Sequence, residues 1–281
     1  MKHTKRLSLP VKIHPAVIAV WAAVVAAAHI VPAIPMLGTG SNFSLSALLS
    51  PLSGIFFGPI FGAFCSAAGG LIGSLIAPHT AWLGLGTFIV GATTAFTSGC
   101  IAWGTWPPIT VNRRGSLVIN GGIIVYAIGT ALWFSQEIGR SLVIFPLVVY
   151  GMGFCALIGG SLCAGRILAG RRNMLKFPAV WLCAFGGMIG GATIGNFASM
   201  VLYQLPRETW MFLTAAAPVE RTVFSLGAAL VAVPLLAGLP KIGIFVGPRE
   251  EADPLPLPDN PLPDSPLSDS GGAEPSSGEQ Q

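Results

Sequence analysis

Between residues 15 and 239 the chain is a succession of apolar runs, most of them close to the length that crosses a bilayer, and this limits what it can fold into. About 20 consecutive apolar residues in a helix match a hydrocarbon layer of about 30 Å. Such runs lie at 15–35, 44–57, 59–77, 82–104, 117–135, 142–168, 178–203 and 217–239, so about eight spans are expected. Charged residues make up only 9% of the sequence, against about 25% in an ordinary soluble domain. A chain this apolar, folded as a soluble globule, would leave much of its apolar surface in water. The fold class expected is therefore all-α, a polytopic integral membrane helical bundle. The second run is short and meets the third at Phe57-Gly58-Pro59, where proline cannot extend the hydrogen-bond ladder of the preceding helix. A tight helical hairpin or a kinked pair is expected there.

Charge divides the chain in two. Residues 1–246 hold 14 Lys and Arg against three acids, Glu137, Glu208 and Glu220, a net charge of +11, while residues 247–281 hold one Arg and eight acids, a net charge of −7. The overall +4 therefore carries no implication of nucleic-acid binding. Placing the N-terminus in the cytoplasm puts 12 of the 15 basic residues on the inner side and leaves only Arg140, Arg207 and Arg221 outside, the bias that orients membrane proteins. A multi-pass protein of the cell membrane with both termini cytoplasmic is expected. The first run also has the basic flank of a signal peptide, but it continues to Ile34, longer than the usual apolar region of such peptides. The domain organisation expected is a transmembrane domain over 1–246 and an acidic tail over 247–281. Segments such as Pro254-Leu255-Pro256-Leu257-Pro258-Asp259 hold too little apolar surface to offset their ordering entropy, so the tail is expected to be disordered.

The five cysteines lie within the predicted spans and form no CxxC pair, the pattern of small packing residues and not of a metal site. No GxxxxGK[ST] phosphate loop, HExxH or GxSxG motif is present, and the three acids before the tail are too scattered for a carboxylate pair. No catalytic residue, metal ligand or cofactor is therefore expected. Small residues recur at intervals of four at Ala19, Ala23 and Ala27, at Gly54, Gly58 and Gly62, and at Gly187, Gly191 and Gly195. Rows of this kind bring helix backbones together in lipid. The alanine row is the widest of the three, suited to a flat contact with a second membrane protein.

Under the assigned topology the polar residues gather on the outer side. His29 closes the first span, Asn42 lies in the first outer loop, and His79 and Trp82 lie in the second. Asn196 and Tyr203 occupy the outer part of the seventh span, Trp210 the last outer loop, and Glu220 with Arg221 the start of the eighth. A few polar groups among aromatic and apolar walls are what small-molecule recognition needs. Asn42, His79, Trp82, Asn196, Tyr203, Glu220 and Arg221 are therefore the candidate substrate-binding residues. Trp82, Tyr203 and Trp210 are equally read as an interfacial aromatic belt, and Glu220, two residues after Pro218, as a first-turn carboxylate facing the helix dipole.

Three stretches resemble the substrate-binding S components of energy-coupling factor (ECF) vitamin transporters. They are the alanine-rich first span, the segment from Leu48 to Ala63 with its Gly-Ile-Phe-Phe-Gly-Pro-Ile-Phe-Gly-Ala run, and the last span from Pro218-Val219-Glu220-Arg221 to Leu239-Pro240-Lys241. The resemblance implies a subunit that captures a small organic micronutrient from outside, docks on a membrane-embedded T component, and relies on separate ATPase subunits. Carried over, it implies that Ala19, Ala23 and Ala27 form the T-component contact and that Asn42 sits in the loop covering the pocket. The family usually has six helices, so the runs at 117–135 and 142–168 are an added pair. The chain lacks the His-Met amino terminus of the nickel and cobalt members, which favours an organic substrate. Two other readings stay open: an intramembrane enzyme of lipid or envelope metabolism using Glu220, Arg221, His29 or His79, and a stand-alone secondary carrier or scaffold.

Overall fold

Proline and glycine set several of the helix boundaries. A computed structural model describes residues 7–8, 15–35, 42–104, 120–170 and 173–250. The nine α-helices among them are α1 (Pro15–His29), α2 (Ser46–Phe57), α3 (Pro59–Ile76), α4 (Thr87–Ala102), α5 (Gly121–Ser135), the short α6 (Glu137–Ser141), α7 (Gly151–Ala169), α8 (Asn173–Tyr203) and α9 (Arg207–Gly238). The runs Pro59–Ile76, Gly84–Ala102, Pro146–Ala169, Met174–Tyr203 and Arg207–Ile242 are long and apolar enough to cross a membrane, while α1, α2 and α5 are apolar but shorter. Large apolar side chains such as Val20, Phe64, Leu75, Leu147, Leu162 and Leu230 stand on the outside, a surface suited to lipid. The fold is that of a helical membrane protein.

The junction at Gly58 is a hairpin. Gly58 takes φ 84°, a conformation open to glycine at little cost, caps α2 by donating to the Gly54 carbonyl, and is followed by Pro59 at the first position of α3. The two helices fold together so closely that a Cβ on Gly62 would lie 2.5 Å from the Gly54 Cα. Gly54 in turn presses on the Ala95 carbonyl of α4. The row Gly187, Gly191 and Gly195 on α8 seats against Ser98, Thr94, Val90 and the Trp82 ring. Both glycine rows therefore serve packing inside the bundle.

The first helix divides its alanines by face. Ala22, Val25, Ala26 and His29 are buried, with Ala22, Val25 and His29 against Gly69 and Gly73 of α3, while Ala19, Ala23 and Ala27 are exposed. The long α8 is the most enclosed of the five long helices and packs on α4, α5, α7 and α9. Asn120 caps α5 by accepting from the Gly122 N–H, and donates to the Cys100 carbonyl and the Ser161 hydroxyl. Tyr126 donates to the Gly186 carbonyl across the α5–α8 contact. The pair expected as an addition is thus built into the bundle. Of the cysteines, all reduced, Cys65, Cys100 and Cys183 are buried, whereas Cys155 and Cys163 on α7 are exposed.

Several details depart from the sequence reading. Two small antiparallel pairs join the helices, β2 (Pro32–Pro35) with β3 (Asn42–Ser44), and β1 (Leu7–Ser8) with β4 (Arg249–Glu250). The backbone N–H of Gly247 donates to the Phe56 carbonyl, so with the β4 pairing residues 247–250, assigned from sequence to the tail, lie on the helical body. Most of the expected tail, 251–281, lies outside the described residues, as do Lys2, Lys5, Arg6, Lys12, Arg113, Arg114, Arg171 and Arg172. The largest departure is α9, which begins at Arg207, ten residues before the expected span. Pro218 therefore sits inside a helix, and the acid of its first turn is Glu208, not Glu220. Trp210, expected in a loop, is 1% exposed, in an aromatic cluster with Trp133, Phe145 and Tyr150.

Candidate functional site

Five helices and two connecting segments meet around one cavity toward one end of the bundle. It has about 70 Å³ open to the centre of a water-sized sphere, room for several waters or a small organic group, since one water needs about 10–15 Å³ on this measure. Its walls come from the end of α1 (His29), β3 (Phe43 and Ser44), the start of α2 (Ser46, Ala47 and Ser50), the α3–α4 connection (Thr80 and Trp82), α4 (Thr87, Val90, Gly91 and Thr94), the second half of α8 (Met188, Ala192 and Asn196) and α9 (Arg221 and Phe224).

Backbone and hydroxyl contacts hold the rim. Leu45 N–H donates to the Val31 carbonyl, fixing β3 and the start of α2 to the end of α1. The Thr80 hydroxyl reaches the His29 carbonyl at 2.8 Å and the Ala77 carbonyl at 2.9 Å. Ser44 and Ser46 share a hydroxyl–hydroxyl bond of 2.5 Å, and Ser46 approaches His29 Nε2 at 3.5 Å. The His29 ring is buried, with the Val25 backbone one turn earlier on α1 as its polar neighbour.

Phe43, Met188 and Phe224 form a separate apolar cluster with Ala47 and Leu48, and the Phe43 and Phe224 rings meet edge to face at 5.5 Å. The Arg221 guanidinium lies 4.9 Å from the Phe43 ring centre. It makes no hydrogen bond to a described residue, and its Nε is enclosed. Asn196 donates to the Tyr150 hydroxyl at 3.3 Å, which connects the cavity wall to the aromatic cluster behind α8. Trp82 is 7% exposed and rests on Gly195.

The cavity brings together three of the seven residues singled out from sequence: Trp82, Asn196 and Arg221. The other four do not line it. Asn42 is half-buried at the start of β3, His79 is exposed in a single 3-10 turn beside Thr80, Tyr203 is exposed at the last position of α8, and Glu220 is half-buried next to Arg221 on α9. Successive helical residues are turned about 100° from one another, so only one of the Glu220–Arg221 pair reaches the cavity. The residues that sequence reasoning missed are chiefly Ser44, Ser46, Ser50, Thr80, Thr87 and Thr94, together with Phe43, Met188 and Phe224. His29, which the sequence places near this depth at the end of the first span, also lines the cavity.

Comparison with known proteins finds no family model that matches the chain, and no curated protein or solved structure that matches it.

Proposed function

We propose that the protein is the substrate-capture subunit of an ATP-driven importer of the ECF type, taking up a small vitamin-like organic molecule without carrying out chemistry on it. The observation that carries the reading is the cavity, whose mixed aromatic, hydroxyl and amide walls come from segments spread between His29 and Phe224 yet meet at one end of the bundle. Such a site holds a molecule by shape with a few polar contacts. In this reading α1–α5, α7, α8 and α9 provide eight passes, α1, α2 and α5 being the short ones. The cavity end faces out, and both termini face the cytoplasm.

The exposed face of α1 at Ala19, Ala23 and Ala27 suits the close backbone approach of a T component. Separate ATPase subunits supply the energy, in keeping with a sequence that has no phosphate loop. The test is reconstituted uptake. Vesicles holding the chain with a T component and its ATPases should accumulate, on addition of ATP, the small molecule released when the purified protein is denatured. The chain alone should bind that molecule without accumulating it. Accumulation by the chain alone, or chemical conversion of the molecule, would replace this reading with a carrier or an enzyme.

A further inference from the structure

Resting on the capture reading, the geometry points to a ligand of one chemical class: we infer that the cavity takes a small organic monoanion, a carboxylate, whose charged group pairs with Arg221.

The argument begins with the cost of the guanidinium. A cation withdrawn from water into a protein wall is stabilised by an opposite charge or by hydrogen-bond acceptors. Arg221 makes neither a hydrogen bond nor a close ion pair among the described residues, and the Glu220 carboxylate next to it in sequence attracts it without touching it. Its Nε is enclosed without a partner, and its close neighbour is the Phe43 ring face at 4.9 Å. A ring quadrupole offsets only part of the lost hydration, and the five N–H donors of the group are left to be met from the cavity that it lines. Glu220 is next in sequence but is not part of the cavity wall.

The guanidinium fork matches the two oxygens of a carboxylate. The buried side-chain polar atoms without a partner among the described residues include the Nε of Arg221, a cavity-lining residue. The walls also fix the number of charges. Arg221 is the only Lys or Arg lining the cavity, and no Asp or Glu lines it, so a single negative charge is balanced and a dianion is not. The apolar part of the wall comes from Phe43, Phe224, Met188 and Trp82, which suits an apolar or aromatic body. The small volume excludes a bulky one.

The experiment uses the full-length protein purified in a nonionic detergent and titrated with matched acids and primary amides of the same skeleton: butyrate with butyramide, benzoate with benzamide. Binding is read from the rise in Tm and from tryptophan fluorescence. At least one acid should bind about 10- to 100-fold more tightly than its amide, the range for a charge-assisted hydrogen bond. Arg221→Gln should erase that preference, Arg221→Lys should keep part of it, and Arg207→Gln, outside the cavity, should leave it unchanged. The unliganded Tm and gel-filtration profile of each variant establish that it is folded. If Arg221→Gln does not fold, the comparison of acid with amide in the native protein and in Arg221→Lys decides the matter.

Amides that bind as well as acids, or a preference that survives in folded Arg221→Gln, would overturn the anion assignment and leave the capture reading standing. Binding of neither acid nor amide would overturn the assignment; if denaturation of the purified protein also releases no small molecule, the capture reading falls with it. A lipid headgroup presents a similar anion. If acid binding persists in phosphatidylcholine nanodiscs but is abolished by phosphatidylglycerol, the site belongs to lipid and the small-molecule assignment is overturned.

Discussion

The Arg221 guanidinium stands 4.9 Å from the centre of the Phe43 ring, joining the middle of α9 to the short strand β3. This contact closes one wall of the cavity, and the Phe43 ring is itself braced edge-on by Phe224 one turn further along α9.

Replacing Phe43 by Leu keeps an apolar side chain and removes the ring face. The loss should be about 0.5–2 kcal/mol from the cation–π contact, with a further contribution of about 0.5–1.5 kcal/mol from the Phe43–Phe224 pair. Thermal unfolding of Phe43→Leu should show this decrease. Phe43→Tyr, which keeps the ring, should lie close to the native protein. Equal destabilisation by both variants would mean that packing volume, and not the ring face, is what matters.

The glycine row of α8 gives a graded prediction. A Cβ on Gly187 would lie 2.6 Å from the Ser98 Cβ and 2.9 Å from the Thr94 carbonyl oxygen, whereas one on Gly195 would meet the tip of the Trp82 indole at 3.1 Å. Backbone and Cβ atoms cannot swing aside, but an indole can. Gly187→Ala should therefore cost about 1–3 kcal/mol through overpacking, measured by thermal unfolding. Gly195→Ala should stay near native stability and instead change ligand affinity, because the displaced ring is a cavity wall. The reverse order would show that Trp82 is held more firmly than the α4 backbone.

The positions of most spans were legible because long apolar runs need no partner to identify them. The start of α9 was not, since Arg207, Glu208, Thr209 and Pro218 interrupt the apolar signal while still allowing a helix. At a rise of about 1.5 Å per residue, a 32-residue helix is about 48 Å long, more than a hydrocarbon layer requires. Its first turns can therefore be polar. The common depth of His29, Trp82, Asn196 and Arg221 was also readable, because topology alone sets which span ends meet. The facing of each helix was not. Serine and threonine in apolar helices often bond back to their own turn, as Thr93 and Ser74 do, and nothing in sequence separates these from Thr94 or Ser46 at the cavity. Rotation likewise places Arg221 at the cavity and not Glu220.

Asn120 gives a test remote from the cavity. It caps α5 and ties it to Cys100 and Ser161, while no residue of α5 lines the cavity. Asn120→Ala should lower stability by about 0.5–2 kcal/mol through the lost cap and leave affinity unchanged. Isothermal binding on the folded fraction separates the two effects. A parallel loss of affinity would mean that α5 supports the cavity through α8.

Orientation is testable by labelling a cysteine-free background in intact cells. The charge bias predicts that cysteine at Gln136 or Thr209 reacts with an impermeant thiol reagent, whereas cysteine at Arg166, the exposed basic residue in the last turn of α7, is protected until the membrane is opened. The opposite pattern would turn the cavity end toward the cytoplasm and remove the basis for capture from outside.

Neighbouring alanines on α1 distinguish a docking face from a packing face. Ala22 is buried, and its carbonyl would lie 2.5 Å from a Cβ on Gly69 of α3, while Ala23 is exposed. Ala22→Trp must force α1 away from α3, and it should lower Tm and ligand binding together, since the end of the same helix carries His29 into the cavity wall. Ala23→Trp places the indole outside the bundle, so the purified variant should keep its Tm and affinity. In reconstituted uptake the two should part further, because a bulky ring on Ala23 prevents a partner helix from reaching the backbone distance that small residues permit. Transport by Ala23→Trp should therefore fall while binding persists. Native transport by this variant would move the partner contact to another face of the bundle, and loss of its binding would make the row Ala19, Ala23 and Ala27 part of the internal packing.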